Sequence, residues 1–246
     1  MRRSVLAGGA AGLGAAGFAI YHGQQPSSEV YGPTIHHEPA AGRRIALTYD
    51  DGPNRPYTEE LLELFARHGA HATFFQIGPY AQQHPELVRE VKAAGHAIGN
   101  HTWTHPTMSL KSAAALREEL SRCRGAVEAA GVTFSEVDGR ALMRPPYGRR
   151  RPGTLRVLRE QGYVPVLWSV TCWDWRREPF ATERSITRHA LKARDGDVIL
   201  LHDGSNDAFG TDRSRSVAAT RHVLEQLGSQ GFEFVTVPEL VATARG

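Results

Sequence analysis

The sequence has few of the features that would indicate a disulfide scaffold, a zinc ribbon or a nucleic-acid surface. Only two of its 246 residues are cysteines, Cys123 and Cys172. Their spacing fits neither a metal ribbon nor a redox dithiol, and it does not show whether the two sulfurs pair. The net charge is only +3 and no basic stripe stands out, so we expect no nucleic-acid partner. Nothing in the sequence implies a stable protein partner.

The first thirty residues differ from the rest of the chain. Met1, Arg2 and Arg3 give a positive start, and no further charge of Asp, Glu, Lys or Arg follows until Glu29. Residues 5–20 are apolar but dominated by Gly and Ala. This arrangement resembles a twin-arginine export signal. A signal-anchor or a flexible tail is the alternative, although the glycines count against a membrane-spanning helix.

We therefore divide the chain into two parts. Residues 1–41 are predicted to be an export signal or anchor followed by a linker, because residues 21–41 are rich in Pro, Ser, Gly and His. Residues 42–246 have the length and composition of one globular domain. The protein is expected to be exported and to be extracellular, associated with the cell wall or tethered to the membrane.

Short apolar runs alternate with helical patterns through the domain, which predicts an α/β fold with parallel strands. The predicted strands are Ile45–Tyr49, Ala72–Ile77, His96–Gly99, Ala141–Met143, Tyr163–Ser169, Asp197–Leu201 and Phe232–Val235. The predicted helices are Thr58–His68, Pro85–Ala94, Ser109–Ala130, Gly153–Gln161, Thr182–Ala193 and Ser214–Ser229. Polar clusters follow the ends of several strands. Because parallel α/β barrels assemble their active sites at the carboxyl ends of the strands, we expect a site there.

Two motifs carry the chemistry. TYDDGP covers Thr48–Pro53, and HTWTH covers His101–His105. They supply two adjacent carboxylates and two histidines at i, i+4 spacing, which can face one side if the segment coils into a helical turn. Two imidazoles and one carboxylate suit a divalent metal and leave coordination positions open, as in a catalytic site. The second carboxylate is then available as a base, although Asp-Asp-Gly-Pro is also a good turn sequence.

Three further motifs follow in order: RPPYG at Arg144–Gly148, WSVTCWDW ending at Trp175, and LLHD at Leu200–Asp203. From about Arg43 to Leu240 the chain resembles the polysaccharide deacetylase family, also called the NodB-homology or carbohydrate esterase family four. The resemblance implies a distorted (β/α) barrel with about seven parallel strands. It also implies a hydrolase that uses one divalent metal, usually zinc, to remove N- or O-acetyl groups from sugars.

The resemblance assigns the metal ligands to Asp51, His101 and His105, and the base to Asp50. Zn²⁺ is the expected ion, and Co²⁺, Mn²⁺ or Ni²⁺ fit the same donors. The resemblance also implies that His202 is the general acid, that Asp174 is its acidic partner and that Arg144 orients the base. It implies that the Tyr147 N–H binds the oxyanion. Substrate contacts are implied for Trp175, Leu200 and Pro146.

One position departs from the family pattern. The fourth motif often begins with an acid three residues before Asp174, and Thr171 stands there. This affects the local hydrogen bonding and the substrate preference that the resemblance implies, but it removes no metal ligand, base or acid. Two alternatives to a sugar deacetylase stay open: a catalytically silent carbohydrate-binding protein and a hydrolase of non-sugar C–N bonds. Chitin-like oligomers, peptidoglycan and acetylated xylan are all compatible substrates.

Overall fold

The centre of the fold is strand β1 (Arg44–Gly52), in which every residue after the first is buried. The structure is a computed structural model that describes residues 17–39 and 41–245. The other strands are β2 (Thr73–Gln76), β3 (Ala97–Asn100), β4 (Glu136–Val137), β5 (Arg140–Met143), β6 (Tyr163–Pro165), β7 (Val170–Thr171), β8 (Val198–His202) and β9 (Glu233–Phe234). Burial on both faces is typical of parallel strands covered by helices.

The helices lie between the strands. They are α1 (which includes residues 17–24), α2 (Tyr57–His68), α3 (Gly78–Gln83), α4 (Pro85–Ala93), α5 (Ala113–Ala129), α6 (Pro152–Glu160), α7 (Glu183–Ala190), α8 (Ser214–Gly228) and α9 (Val237–Arg245). Short polar side chains fix several of their ends. Ser112 caps α5 by accepting a hydrogen bond from the Ala115 N–H, and Thr182 and Ser185 form a capping box at α7.

Seven parallel strands form a distorted barrel, as the sequence predicted. Strands β5, β3, β2, β1 and β8 are neighbours in that order. The extended segment 163–171 joins the two ends, because β6 pairs with β5 at its start and β7 pairs with β8 at its end. Strand β4 pairs with β5 in the antiparallel direction, and β9 pairs in parallel with the first two residues of β1.

Side chains of β1 alternate between two hydrophobic layers. Ile45, Leu47 and Tyr49 pack in the cluster that includes helix residues such as Phe65 and Val223, whereas Ala46 packs with Leu200 in a second cluster inside the barrel. Because successive side chains of a strand point to opposite faces, residue 50 shares the inner face with residue 46. This parity directs the first aspartate of the pair into the barrel.

The predicted elements are found with boundaries shifted by a few residues, and two of them differ more. The strand predicted over Tyr163–Ser169 ends at Pro165 as β6, because the Leu167 N–H donates to the Ile35 carbonyl, and β7 begins only at Val170. The helix predicted from Ser109 begins at Ala113, after the Ser112 cap and a separate 3₁₀ turn over Met108–Leu110. The predictions omitted α3, α9 and the short strand β4.

The prediction of a linker over residues 21–41 is wrong for much of that segment, because these residues pack onto the domain. The buried Arg150 guanidinium donates to the carbonyls of Gln25, Pro26 and Ser28 at 2.9, 3.2 and 2.5 Å. Ile35 is buried and bridges to Val166. The predicted export motif at residues 2 and 3 lies outside the described residues. Within the described residues, no helix has the length and apolar character needed to cross a membrane.

The two cysteines do not form a disulfide. Cys123 and Cys172 are both buried free thiols. Cys123 lies in α5, where its Sγ is 3.3 Å from the Gln76 carbonyl oxygen. Burial raises the pKa of its thiol to about 12, so it acts as a small packed side chain and not as a nucleophile.

Candidate active site

The candidate site lies at the carboxyl ends of the barrel strands, where the sequence placed it. Asp50 pairs in register with His202 of β8, and Thr48 pairs with Leu200. Because neighbouring residues in a parallel pair point to the same face, Asp50 and His202 both reach the inner top of the barrel. A cleft of about 310 Å³ opens there.

Asp50 is held by the most deeply buried arginine of the described chain. One oxygen, Oδ1, accepts a hydrogen bond from Arg144 Nη1 at 2.8 Å, and the same nitrogen donates to Thr48 Oγ1 at 2.8 Å. The guanidinium also donates to the carbonyls of Val166 and Leu167 and lies 4.2 Å from the centre of the Phe75 ring. Burial raises the pKa of Asp50, and the Arg144 charge opposes only part of that shift. Asp50 is therefore a stronger base than an exposed aspartate.

The predicted metal ligands converge on one point. The donor atoms of Asp51, His101 and His105 all lie within 4.8 Å of one another, and all three residues are buried. Asp51 Oδ1 is 3.5 Å from His101 Nε2 and 3.4 Å from His105 Nε2, and it has no hydrogen-bond partner. Ligand atoms at about 2.1 Å from one tetrahedral ion would be about 3.4 Å apart. The residues thus fit a divalent metal.

The histidine segment is not the helical turn that the i, i+4 spacing suggested. Residues 101–107 form an irregular bend in which Thr102 and His105 have positive φ angles of 72° and 53°. Glu119 of α5 holds the bend by accepting hydrogen bonds from the Trp103 and Thr104 N–H groups at 3.0 and 2.7 Å. Asp51 also has a positive φ, 70°. Non-glycine residues in this conformation concentrate at functional sites, where the surrounding contacts hold them.

The protonation state of His101 suits a metal ligand. Its Nδ1 is 2.8 Å from the Arg144 carbonyl, which can only accept, so the proton is on Nδ1 and the Nε2 lone pair faces Asp51. Burial and the neighbouring His105 lower the pKa of His101 to about 3. Burial also lowers the pKa of His105, although the nearby aspartates oppose that shift. Both imidazoles are neutral at physiological pH.

His202 belongs to a second buried pair. Its Nδ1 is 2.9 Å from Asp174 Oδ1, and its backbone N–H donates to Asp174 Oδ2 at 2.7 Å. Ser216 Oγ donates to the same Oδ2 at 2.8 Å. Burial by itself would lower the pKa of His202, but the Asp174 carboxylate raises it above its usual value. Asp174 in turn has a lowered pKa, because the charge and hydrogen bonds of His202 outweigh its burial.

The walls of the cleft include most of the predicted substrate contacts. Tyr147, Trp175 and Leu200 line it. The Tyr147 ring lies 4.6 Å from the His105 ring, and the Trp175 ring lies 5.1 Å from the His202 ring. Pro146 is buried and is not among the lining residues, so the structure does not bring that predicted contact into the cleft.

Several residues at the site were not predicted from the sequence. The cleft is also lined by Trp168, Ser205, Asn206, Asp207 and Arg213. The loop that carries three of these is held by Asn54, whose Nδ2 donates to the carbonyls of Asp203 and Thr211 at 2.9 Å each. The only feature of the sequence that could have indicated Asn54 as a site residue is its position directly after DDGP. No feature of the sequence indicated Ser216, which lies in α8.

Thr171, the departure from the family pattern, is the last residue of β7 and pairs with Leu200. Its backbone therefore supports the wall of the cleft, while Asp174 keeps its bonds to His202 and Ser216. The substitution leaves the His202 pair intact.

A barrel whose strand ends carry a buried Asp-His-His cluster beside two charged acid–base pairs defines a metal-dependent hydrolase. Comparison with known proteins agrees. The polysaccharide deacetylase family matches residues 37–166. The peptidoglycan-N-acetylglucosamine deacetylase of Bacillus cereus is 40% identical over 204 residues, which cover 80% of this chain and 87% of that protein. The chitooligosaccharide deacetylase of Azorhizobium caulinodans is 35% identical and covers 79% of this chain and 92% of its own length.

Solved structures give the same result. The family 4 carbohydrate esterase from Streptomyces lividans, solved in complex with acetate, superposes with a TM-score of 0.68 at 32% identity, over 79% of this chain and 93% of that one. The chain belongs to the polysaccharide deacetylase family. It is a hydrolase of sugar acetyl groups, and its family depends on a metal.

Proposed function

We propose that this chain removes the acetyl group from N-acetylglucosamine residues of a cell-wall glycan. The two relatives named above are a peptidoglycan-N-acetylglucosamine deacetylase and a chitooligosaccharide deacetylase. One observation carries the proposal. Two ion pairs, Asp50–Arg144 and His202–Asp174, lie at the same cleft as the cluster of three candidate metal ligands. Pairs of titratable groups whose surroundings tune them differently are how a site divides base and acid roles.

Asp50 is assigned as the base. Arg144 occupies its Oδ1, so Oδ2, which lies 3.7 Å from His101 Nε2, is left to accept a proton from the attacking water. A divalent ion held by Asp51, His101 and His105 would polarise the acetyl carbonyl and lower the pKa of that water. Arg144 keeps the carboxylate fixed during the transfer, since all of its nitrogens are hydrogen-bonded.

His202 is assigned as the acid. Because its Nδ1 faces Asp174, its Nε2 is the nitrogen left to protonate the departing amine. The Tyr147 N–H is assigned to the oxyanion. The next two N–H groups of that turn, of Gly148 and Arg149, already donate to the carbonyls of Pro145 and Pro146. Trp175 and Leu200 provide apolar surface for the acetyl methyl group.

Zinc is the ion we propose for the cluster, with one ion per chain. Two neutral imidazoles and one carboxylate form a donor set that Zn²⁺ binds in catalytic sites, and Co²⁺, Mn²⁺ or Ni²⁺ accept the same donors. The unpartnered Asp51 Oδ1 and the proton placement on His101 support this assignment.

The test is acetate release from N-acetylglucosamine oligomers and from bacterial wall glycan, before and after chelation. We expect chelation to abolish release and added Zn²⁺ to restore it, with an unchanged circular dichroism spectrum. His105→Ala should lose bound metal and activity, whereas His222→Ala, an exposed histidine paired with Glu183, should lose neither. Active protein with less than about a tenth of an equivalent of metal would refute the metal role.

We also propose that the protein is exported through its Arg2-Arg3 segment and works outside the cytoplasm. The support is the sequence pattern of the first twenty residues together with the proposed substrate, a cell-wall glycan.

A further inference from the structure

The turn that carries the Tyr147 N–H has a conformation that needs support. Tyr147 and Gly148 are consecutive residues with positive φ angles of 58° and 64°. This left-handed conformation is unfavourable for an aromatic residue and persists where surrounding contacts hold it. The Gly148 and Arg149 N–H groups donate to the carbonyls of Pro145 and Pro146. Both bonds are internal to the turn, so its position relative to the barrel depends on other contacts.

Arg150 makes such a contact. The residue is only 1% exposed, and its Nη1 donates to the Gly148 carbonyl at 3.0 Å. The backbone N–H of Arg150 donates to the Gly23 carbonyl at 2.9 Å. Its Nη2 donates to three further main-chain carbonyls of the segment before the domain, at Gln25, Pro26 and Ser28. One residue thus joins the turn to residues 23–28.

These bonds hold main-chain atoms of two separate parts of the chain. A planar guanidinium presents its N–H groups in a fixed fork, which is how Nη1 of Arg150 serves the turn while Nη2 serves segment 23–28. The family match begins at residue 37, so this segment lies outside the matched residues. The support for the turn therefore comes from a part of the chain that precedes the match.

We propose that Arg150 is a positioning residue that ties the turn of residues 145–149 to segment 23–28 and holds the Tyr147 N–H where the oxyanion forms. The inference rests on the proposed function, which assigns the oxyanion to that N–H. A donor accelerates the reaction only if it is already aimed at the developing charge. A displacement of about 1 Å at such a group can reduce the rate by about 100-fold.

Gly23 provides a way to move the segment without changing Arg150. A Cβ at residue 23 would lie 2.8 Å from the Arg150 carbonyl oxygen, which is a main-chain atom and cannot rotate away as a flexible side chain would. Gly23→Ala should therefore push the segment away from the turn while the guanidinium stays in the protein. Gly17 lies in the same helix, and among the described residues a Cβ there would meet open space. Gly17→Ala is the matched control.

The experiment measures kcat and KM for an N-acetylglucosamine oligomer, together with the inhibition constant of a phosphonate that mimics the tetrahedral intermediate. It compares five full-length proteins: wild type, Arg150→Gln, Arg150→Lys, Gly23→Ala and Gly17→Ala. Bound metal and the melting temperature are measured for each protein. The kinetics are run well below the lowest melting temperature.

We expect Arg150→Gln to reduce kcat by about 10- to 100-fold, with KM changed by less than about twofold and with the metal content of wild type. The affinity for the phosphonate should fall by the same factor as kcat/KM, because this molecule resembles the transition state. Arg150→Lys should lose nearly as much, since a single ammonium cannot span the turn and the segment as a fork does. Gly23→Ala should lose about 3- to 10-fold in both quantities, and Gly17→Ala less than about twofold.

A purely structural role of Arg150 would give a different result. A partly unfolded variant loses kcat in proportion to its inactive fraction, whereas the phosphonate binds the remaining active protein with wild-type affinity. That pattern, full activity in Arg150→Lys, or unchanged kinetics in Gly23→Ala would overturn the inference. If neither Arg150 variant folds, the comparison of Gly23→Ala with Gly17→Ala decides it.

The failure of this inference is distinguishable from the failure of the proposed function. Acetate release by wild type, combined with any of the contrary results above, leaves the proposed deacetylation standing and removes only the role of Arg150. No acetate release by metal-loaded wild type overturns both.

Discussion

Asp174→Asn should move the pH range in which this protein can hydrolyse an acetamide. The carboxylate of Asp174 is buried and lies 2.9 Å from His202 Nδ1, and it holds the pKa of that imidazole above its usual value. Asparagine has the same shape and can still accept the bonds from the His202 N–H and from Ser216. The change therefore removes the charge and leaves the packing intact.

The size of the effect follows from that contact. A hydrogen bond to a charged group contributes about 1.5–3 kcal/mol, and one pKa unit corresponds to about 1.4 kcal/mol. The pKa of His202 should fall by about one to two units, since burial is then opposed only by the more distant charges of Asp50 and Asp51. A general acid must be protonated, so its contribution is present below its pKa and is lost above it. The alkaline limb of the pH–rate profile should move down by the same one to two units.

The assay measures kcat/KM from pH 5.5 to 9.5 on two substrates. An N-acetylglucosamine oligomer expels an amine that needs a proton, whereas an aryl acetate expels a stable phenolate. At pH 8, Asp174→Asn should reduce hydrolysis of the oligomer by about 10- to 100-fold and hydrolysis of the aryl ester by less than about threefold. Ser216→Ala, which keeps the charge and removes one hydrogen bond, should shift the limb much less. An unmoved alkaline limb in Asp174→Asn, or equal losses on both substrates, would refute the assignment of His202 as the acid.

Three further predictions concern the base, the export signal and the core. Asp50→Asn should keep nearly one equivalent of metal yet slow both substrates alike by about 10²–10⁴-fold, and loss of the metal would contradict it. Replacing Arg2 and Arg3 by Lys should trap the protein inside the cell, and unchanged export, followed by cell fractionation, would indicate another route. Burial lowers the pKa of His96 from 6.5 to about 4, so this group contributes stability above pH 6.5 that is lost as the pH falls toward 4. Urea unfolding at pH 6.5 and pH 4 should show a loss of stability that is about 3 kcal/mol smaller in His96→Gln than in wild type.

Local sequence patterns were sufficient for the order and type of most elements. The apolar run before Asp50 predicted β1, and the periodic leucines of Thr58–His68 predicted α2, because strand and helix periodicity depend on neighbours in the chain. Short elements were harder. The six residues of α3 and the two of β4 carry too few side chains for a period to be visible.

The membership of the site was also determined largely by the sequence, because the motifs that carry the metal ligands follow strand ends, and parallel strands bring their ends together. The roles assigned to individual residues stay predictions that the experiments above test. The resemblance implied Arg144 as the partner of Asp50 and Asp174 as the partner of His202. It did not indicate Ser216, which contacts Asp174 from forty-two positions away.

The segment before the domain shows the same limit. Its composition predicts a linker, but Arg150 binds three of its carbonyls and Ile35 lies in the barrel core. Composition reports how much apolar surface a segment has by itself, and not whether a partner surface elsewhere in the chain is shaped to receive it. The sequence thus determined the secondary elements and the chemical groups of the site. Only the tertiary structure determined the burial of Asp50, His101 and His202, and burial sets their pKa values because it removes the water that would stabilise their charges.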